Sequence, residues 1–267
     1  MAVREGDQRQ RAPHDQASAA AQHRLGYAVD LAAALPDGHP RRLRAQRLPR
    51  SGRAEDEVAV SGGRAGRGGR AYVVFCHPTH DSFIGAALQR TLAGLERHGY
   101  EVRVSDLYAE GFRPELDLHD RRIHLVDHRS EPELRHELQG YIEHLRWCDT
   151  LILVYPTWWS GQPAMLKGWF DRVWAAGVAW ELPEGHNRIR PLLRNIHTMV
   201  AVTSHGSSKL VNAMEGETGK RTMTRALRVA CNVRCRTCWI AFYGIDRATP
   251  DARTRFLDRV EARMAKL

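Results

Sequence analysis

The chain has no uninterrupted apolar stretch of about 18 residues, so it offers no candidate for a membrane-spanning helix. Its start lacks the compact apolar run of a secretory signal. Acids scattered through its arginines argue against an organellar transit segment. Cysteine is scarce and odd in number, at five, which does not suit a disulfide framework. The expectation is a reducing, cytoplasmic setting. Residues 1–70 contain no lysine and, apart from Tyr27, no aromatic residue. They nevertheless carry 13 arginines against 8 acids, so more than half of the chain's net charge of +9 sits where little core-forming material is found.

That segment bounds the domain organisation. The stretch from Arg41 to Arg70 is rich in glycine and arginine and broken by proline. It cannot bury enough apolar area to offset chain entropy. One short helix is expected around Ser18–Leu35, where Leu25, Val29 and Leu31 cluster. The segment has two readings: an RGG-like arm that binds nucleic acid, or a plain disordered extension. The missing lysines and aromatics favour the extension. Residues 71–267 are expected to form the folded domain.

There the pattern is regular. Tyr72–Cys76, Glu101–Leu107, Thr150–Tyr155, Ile196–Thr203 and Thr237–Tyr243 read as five strands, the third apolar on both faces as a covered central strand should be. Between them, Ile84, Ala87, Leu88, Leu92 and Leu95 recur at helical spacing until Gly99. Helices are also expected from Pro132, from Pro163 to Trp174, over about 218–230, and after the Thr249-Pro250 cap. Strands alternating with helices imply an α/β fold, a doubly wound parallel sheet with helices on both faces.

In such a sheet ligands bind beyond the carboxyl ends of the strands. Three loops leave those ends. The first, His77-Pro78-Thr79-His80-Asp81-Ser82, opens a helix whose first amides favour a phosphate, with His77 and Ser82 as donors and Asp81 as the helix cap. It has neither the G-x-G-x-x-G of a dinucleotide turn nor the G-K-[ST] of a P-loop. The second, Pro156-Thr157-Trp158-Trp159-Ser160-Gly161-Gln162-Pro163, places two adjacent indoles where a flat aromatic cofactor can stack; the competing reading packs both against Met165, Trp169 and Phe170. The third, Thr203-Ser204-His205-Gly206-Ser207-Ser208, supplies small hydroxyls and a glycine where backbone can approach a ring edge.

Cys76-His77-Pro78 with Ser82-Phe83, and Tyr155-Pro156 with Trp159 and Pro163-Ala164-Met165-Leu166-Lys167-Gly168-Trp169-Phe170-Asp171-Arg172-Val173, resemble the flavodoxin-like NAD(P)H:quinone oxidoreductase family. That group includes DT-diaphorase, drug-activity modulators and ancillary flavoproteins of potassium efflux systems. The resemblance covers residues 71–267. It implies that His77, Ser82 and Phe83 hold the phosphates of a flavin. Pro156, Thr157, Trp158, Trp159, Ser160, Thr203, Ser204, His205 and Gly206 would line its ring, and Trp180 would wall the substrate pocket. It implies FAD, with FMN as the alternative, and NAD(P)H as co-substrate. A quinone-like acceptor and a homodimer follow from it too. The second functional reading is a flavin-binding ancillary subunit of a potassium efflux system.

The departures matter. Ile84 stands where the family usually has asparagine, and His205 where glycine is common. Val211 and Glu217 occupy roughly the places of the tyrosine and histidine that assist hydride transfer in mammalian members. No side chain is therefore assigned as catalytic acid or base, and the flavin is expected to carry the chemistry. Cys231, Cys235 and Cys238 have the spacing of an iron–sulfur site. Cys238 falls inside a strand, however, and zinc would lack a fourth ligand, so no metal is expected.

Overall fold

The computed structural model describes residues 68–267; the helix expected around Ser18–Leu35 and the rest of the extension lie outside them. In chain order the elements are β1 (Arg70–Phe75), α1 (Phe83–His98), β2 (Glu101–Asp106), α2 (Leu118–Arg122), a 3-10 segment (Pro132–Leu138) and α3 (Gln139–Trp147). Then come β3 (Thr150–Pro156), α4 (Ala164–Val173), β4 (Trp180–Glu181), β5 (Arg190–Pro191), β6 (Thr198–His205), α5 (Lys209–Met214) and α6 (Thr218–Arg221). β7 (Arg236–Tyr243) and α7 (Pro250–Met264) follow. The main sheet has five strands in the order β2-β1-β3-β6-β7, and every neighbouring pair is parallel. β4 and β5 form a separate antiparallel ribbon.

Side-chain alternation sorts the core into two layers. Tyr72, Val74, Leu151, Leu153, Met199 and Ala201 face α3 and α4 in one buried cluster. Val73, Phe75, Ile152, Val154, Val200 and Val202 face α1 and α7 in the other. All seven residues of β3 are buried, as its apolar sequence requires. α1 ends at Gly99, whose φ of 79° closes the helix in the left-handed region. α7 begins at Thr249, whose hydroxyl accepts from the Ala252 amide at 3.3 Å.

The α4 run that carries the family resemblance is fixed by packing. Trp169 is fully buried, and the buried Arg172 guanidinium donates to Asp120 at 2.8 Å, to the Arg113 carbonyl at 2.6 Å and to Glu137. It thereby ties α2 and the 3-10 segment to the sheet. Lys167 instead lies on the surface, paired with Asp171 at 2.5 Å.

Three expectations change, and some short elements are new. The helix expected from Pro132 begins as a 3-10 segment and becomes regular only at Gln139, because the Arg135 side chain turns inward to the carbonyls of Ile123 and Val126. Residues 218–230 are not one helix: a short α turn runs into a π segment and a 3-10 turn. There Thr222 and Thr224 donate to carbonyls four residues back, competing with regular backbone pairing. Thr203, Ser204 and His205 belong to β6 and not to a loop. The β4–β5 ribbon, α2 and α5 carry too few residues to leave a periodic signal. No helix among the described residues is long and apolar enough to cross a membrane.

Candidate functional site

Strand order reverses between β1 and β3, and the three loops singled out above all leave the carboxyl ends on this side of the sheet. In the first loop, Ser82 and not Asp81 caps α1: its hydroxyl accepts from the Gly85 amide at 3.0 Å and donates to the Thr79 carbonyl at 3.1 Å. The Ser82 position satisfies the helix geometry because its extended backbone places Oγ over the third amide. With that amide taken, the Phe83 and Ile84 N–H groups remain for a ligand, having no partner within the helix. His77 folds back on its own turn, with Nδ1 accepting from the Thr79 amide at 3.1 Å. His80 is drawn away to Asp106 at 2.5 Å. The Phe83 ring packs between Phe242 and Phe256, so Phe83 can offer a ligand its amide and not its ring. Burial pushes the Cys76 thiol up to about 12, which keeps it a neutral core residue.

The second loop is a tight turn. Trp158 and Gly161 exchange backbone hydrogen bonds of 3.2 and 3.1 Å, and the two residues between them, Trp159 and Ser160, have φ of 48° and 58°. Left-handed backbone at two successive residues that are not glycine is costly, about 1–3 kcal/mol each. Contacts from α5 and α6 hold it. The Ser160 carbonyl accepts from the Gly219 amide at 3.0 Å and the Thr218 hydroxyl at 2.5 Å, and the Ser160 hydroxyl donates to Glu215. Trp159 is wholly exposed and Trp158 is 44% exposed, so neither indole joins Trp169 in the core.

At the end of β6, the side chains of Thr203, Ser204 and His205 are buried. The Thr157 hydroxyl lies 2.9 Å from that of Thr203 and 3.4 Å from His205 Nε2. The His205 ring stacks on Tyr243 with centroids 4.6 Å apart, and its Nδ1 is buried without a hydrogen-bond partner. Burial lowers its pKa, while Asn212, Glu215 and Glu217 oppose that shift.

These parts enclose a cleft of about 220 Å³ walled by Thr157, Trp159, Ser160, His205 and Gly206 together with Ser207, Asn212 and Glu215. The structure thus brings the second and third loops together. Pro156 and Ser204 stand side by side in the β3–β6 register just behind them. His77, Ser82 and Phe83 do not line the cleft. Trp180 lies apart from it, in the β4–β5 ribbon, where its indole N–H donates to the Trp174 carbonyl at 3.0 Å. Ser207 belongs to the third loop as read from the sequence, whereas Asn212 and Glu215, on and just after a very short helix, were not foreseen. The cysteine spacing does not converge either, since Cys231 and Cys235 belong to one core layer and Cys238 packs against the other.

Residues 70–266 match the family described as the flavodoxin-like fold. The chain belongs to that family. Among curated relatives, NAD(P)H dehydrogenase [quinone] 1 of Rattus norvegicus is 28% identical over 213 residues, covering 73% of this chain and 76% of that protein. An uncharacterized NAD(P)H oxidoreductase, YcaK, of Escherichia coli (strain K12) is 35% identical over 126 residues, 45% of this chain. The chain spans only about three fifths of that relative's length, 61%. Among solved structures, the NAD(P)H:quinone oxidoreductase from Methanothermobacter marburgensis superposes with a TM-score of 0.61 at 26% identity, over 74% of this chain and 96% of that one.

Proposed function

We infer that this protein is a flavin-dependent NAD(P)H oxidoreductase that passes two electrons, as hydride, to a quinone-like acceptor. The observation that carries the reading is Trp159: a fully exposed indole, fixed in a left-handed turn beside a cleft at the carboxyl ends of β3 and β6. An exposed aromatic whose backbone is fixed at such an edge suits a flat aromatic ligand. The names of the relatives are enzyme names, and no observation favours the potassium-efflux reading.

The residues present fit a flavin. Trp159 and Trp158 offer stacking surface, while Pro156, Thr157, Ser160, Thr203, Ser204, His205 and Gly206 border the ring. The Phe83 and Ile84 amides at the start of α1 favour phosphate, with the Ser82 hydroxyl acting as the cap that orients them. His77 shapes the same turn. When bound, the flavin supplies the group that accepts and gives hydride. The chain's own work is to stack, orient and shield that ring. FAD is the preferred form and FMN the alternative. Trp180 is assigned to the wall of the acceptor pocket completed in a homodimer, for which Leu118, Leu125 and Leu182 expose apolar surface. The setting is cytoplasmic.

The test is the absorbance spectrum of the purified protein, repeated after NADPH and then menadione. A flavin spectrum that bleaches and then recovers is the expected result, and the mass of the released cofactor separates FAD from FMN. A protein that takes up no flavin on reconstitution overturns the reading.

A further inference from the structure

Reduction of a quinone by NAD(P)H consumes one proton besides the hydride, and no residue has been assigned to supply it. The cleft contains one side chain built for that task. His205 is 5% exposed, its Nε2 faces the Thr157 hydroxyl at 3.4 Å, and Thr157 in turn borders the open cleft. The opposite nitrogen, Nδ1, is buried with no hydrogen-bond partner. His128 and His144 each bury an unpartnered Nδ1 as well, but of the three only His205 lines the cleft.

We propose that His205 is the proton source of this cleft, delivering its proton through the Thr157 hydroxyl to the carbonyl oxygen of the acceptor. The assignment rests on the oxidoreductase reading above. Hydride addition leaves negative charge on the acceptor oxygen. That oxygen takes the proton of Thr157 Oγ1–H, and Oγ1 takes the proton of His205 Nε2–H. The N–H electron pair stays on Nε2, so imidazolium becomes neutral imidazole. One hydride and one proton convert the quinone to the hydroquinone, NAD(P)H is oxidised to NAD(P)⁺, and the ring regains a proton from water at the cleft.

The surroundings suit this cycle. Tyr243 and Trp239 of β7 hold the ring in place by stacking and edge contact. From α5 come Asn212 and Glu215; from the start of α6 come Glu217 and its ion-pair partner Lys220 at 2.9 Å. Asp246 stands against Gly206, the next residue. The Asn212 amide nitrogen is spent on the Ser207 hydroxyl at 2.6 Å and the Ser208 carbonyl at 3.1 Å, so the amide oxygen is left to favour a protonated ring. Burial pulls the other way and makes the imidazolium a stronger acid, while Asn212, Glu215 and Glu217 keep that form within reach.

The experiment compares two acceptors: menadione, which needs a proton, and ferricyanide, which takes single electrons without one. In His205→Gln and Thr157→Val, menadione turnover is expected to fall on the order of 10²-fold relative to ferricyanide turnover, with the pH dependence of the ratio lost. Thr157→Ser, which keeps the hydroxyl, is expected to restore the ratio. Independently of turnover, NMR of the labelled protein is expected to show the His205 ring gaining a proton between about pH 8 and about pH 4, below the ordinary histidine midpoint. An unchanged acceptor ratio in both variants overturns the proposal alone, as does a ring that never titrates. Wild-type protein that reduces neither acceptor overturns the oxidoreductase reading, and this proposal with it.

Discussion

The α1–α7 face and the carboxyl edge of the same sheet are built to opposite rules. On the α1–α7 face the caps and stop signals agree with the fold. Ser82 and Thr249 cap the two helices, Gly99 ends one of them, and the Glu261 carboxylate is bound by both Arg90 and Arg97. At the carboxyl edge the preferences are broken. Trp159, Ser160 and Glu217, the only non-glycine residues with positive φ among those described, lie in two facing loops joined through Ser160. A whole indole is left in water. Left-handed strain outside glycine, gathered in one place among the described residues, marks this edge as the candidate site.

The comparison breaks most decisively at Gly94. A Cβ there would lie 2.4 Å from the Glu261 carbonyl oxygen and 2.6 Å from Met264 Cβ, because α1 and α7 touch backbone to backbone. Gly94→Val is expected to lower stability by about 3 kcal/mol, read as a lower urea midpoint. Wild-type stability in that variant would show that the close contact is not part of the scaffold.

The next largest effect separates stability from binding at the edge. Trp159→Ala and Trp159→Gly both remove the exposed indole, so both should weaken flavin binding by about 1–3 kcal/mol, the scale of stacking a flat ring on an aromatic side chain. Only glycine also relieves the left-handed backbone at φ 48°. The Gly variant should therefore unfold at higher temperature than the Ala variant by about 1 kcal/mol of stability. Equal stability of the two would show that the turn is not strained, and unchanged flavin content in both would remove Trp159 from the site.

The same contrast explains what could be read in the sequence. The five strands and the helices α1, α4 and α7 are written as apolar periodicity, which tertiary packing reinforces; hence the strands read as Tyr72–Cys76 and Thr150–Tyr155 are found at Arg70–Phe75 and Thr150–Pro156, within two residues at each end. The two tryptophans and the His205 position were legible too, as residue types that a core does not require at a strand's end. Their geometry was not. Nothing in Ser160-Gly161-Gln162 announces that Glu215 and Gly219, more than fifty residues away, will hold the turn. Asn212 and Glu215 lie on a six-residue helix, too short for any period to emerge. The Asp81 cap was misplaced by one residue because Asp and Ser are both good caps, and only the backbone of the entering loop decides between them.

A smaller effect is expected on acidification of the scaffold. The Arg90 hydrogen bond, with Arg97 beside it, holds the Glu261 carboxyl below its ordinary value of 4.5. A carboxyl whose folded value lies below its unfolded value stabilises the fold fully above the unfolded value, and that stabilisation is lost as pH falls through the folded one. Stability should therefore decline below about pH 4.5, and Glu261→Gln should flatten that decline at a cost of about 1 kcal/mol at neutral pH. An acid limb of the same slope in the variant would assign it to other carboxylates.

The smallest effect is expected from removing residues 1–69. The family match begins at residue 70, and the first strand pairs with β2 on one side and β3 on the other. Twelve of the arginines and eight of the acids would leave with that segment, while every residue of the cleft would stay. Turnover with NADPH and menadione should be unchanged, whereas any adhesion to polyanions should weaken and lose its steep dependence on salt. A truncated protein that binds flavin but no longer turns over would mean that the basic segment takes part in the reaction, and the division between scaffold and edge would then have to be redrawn to include it.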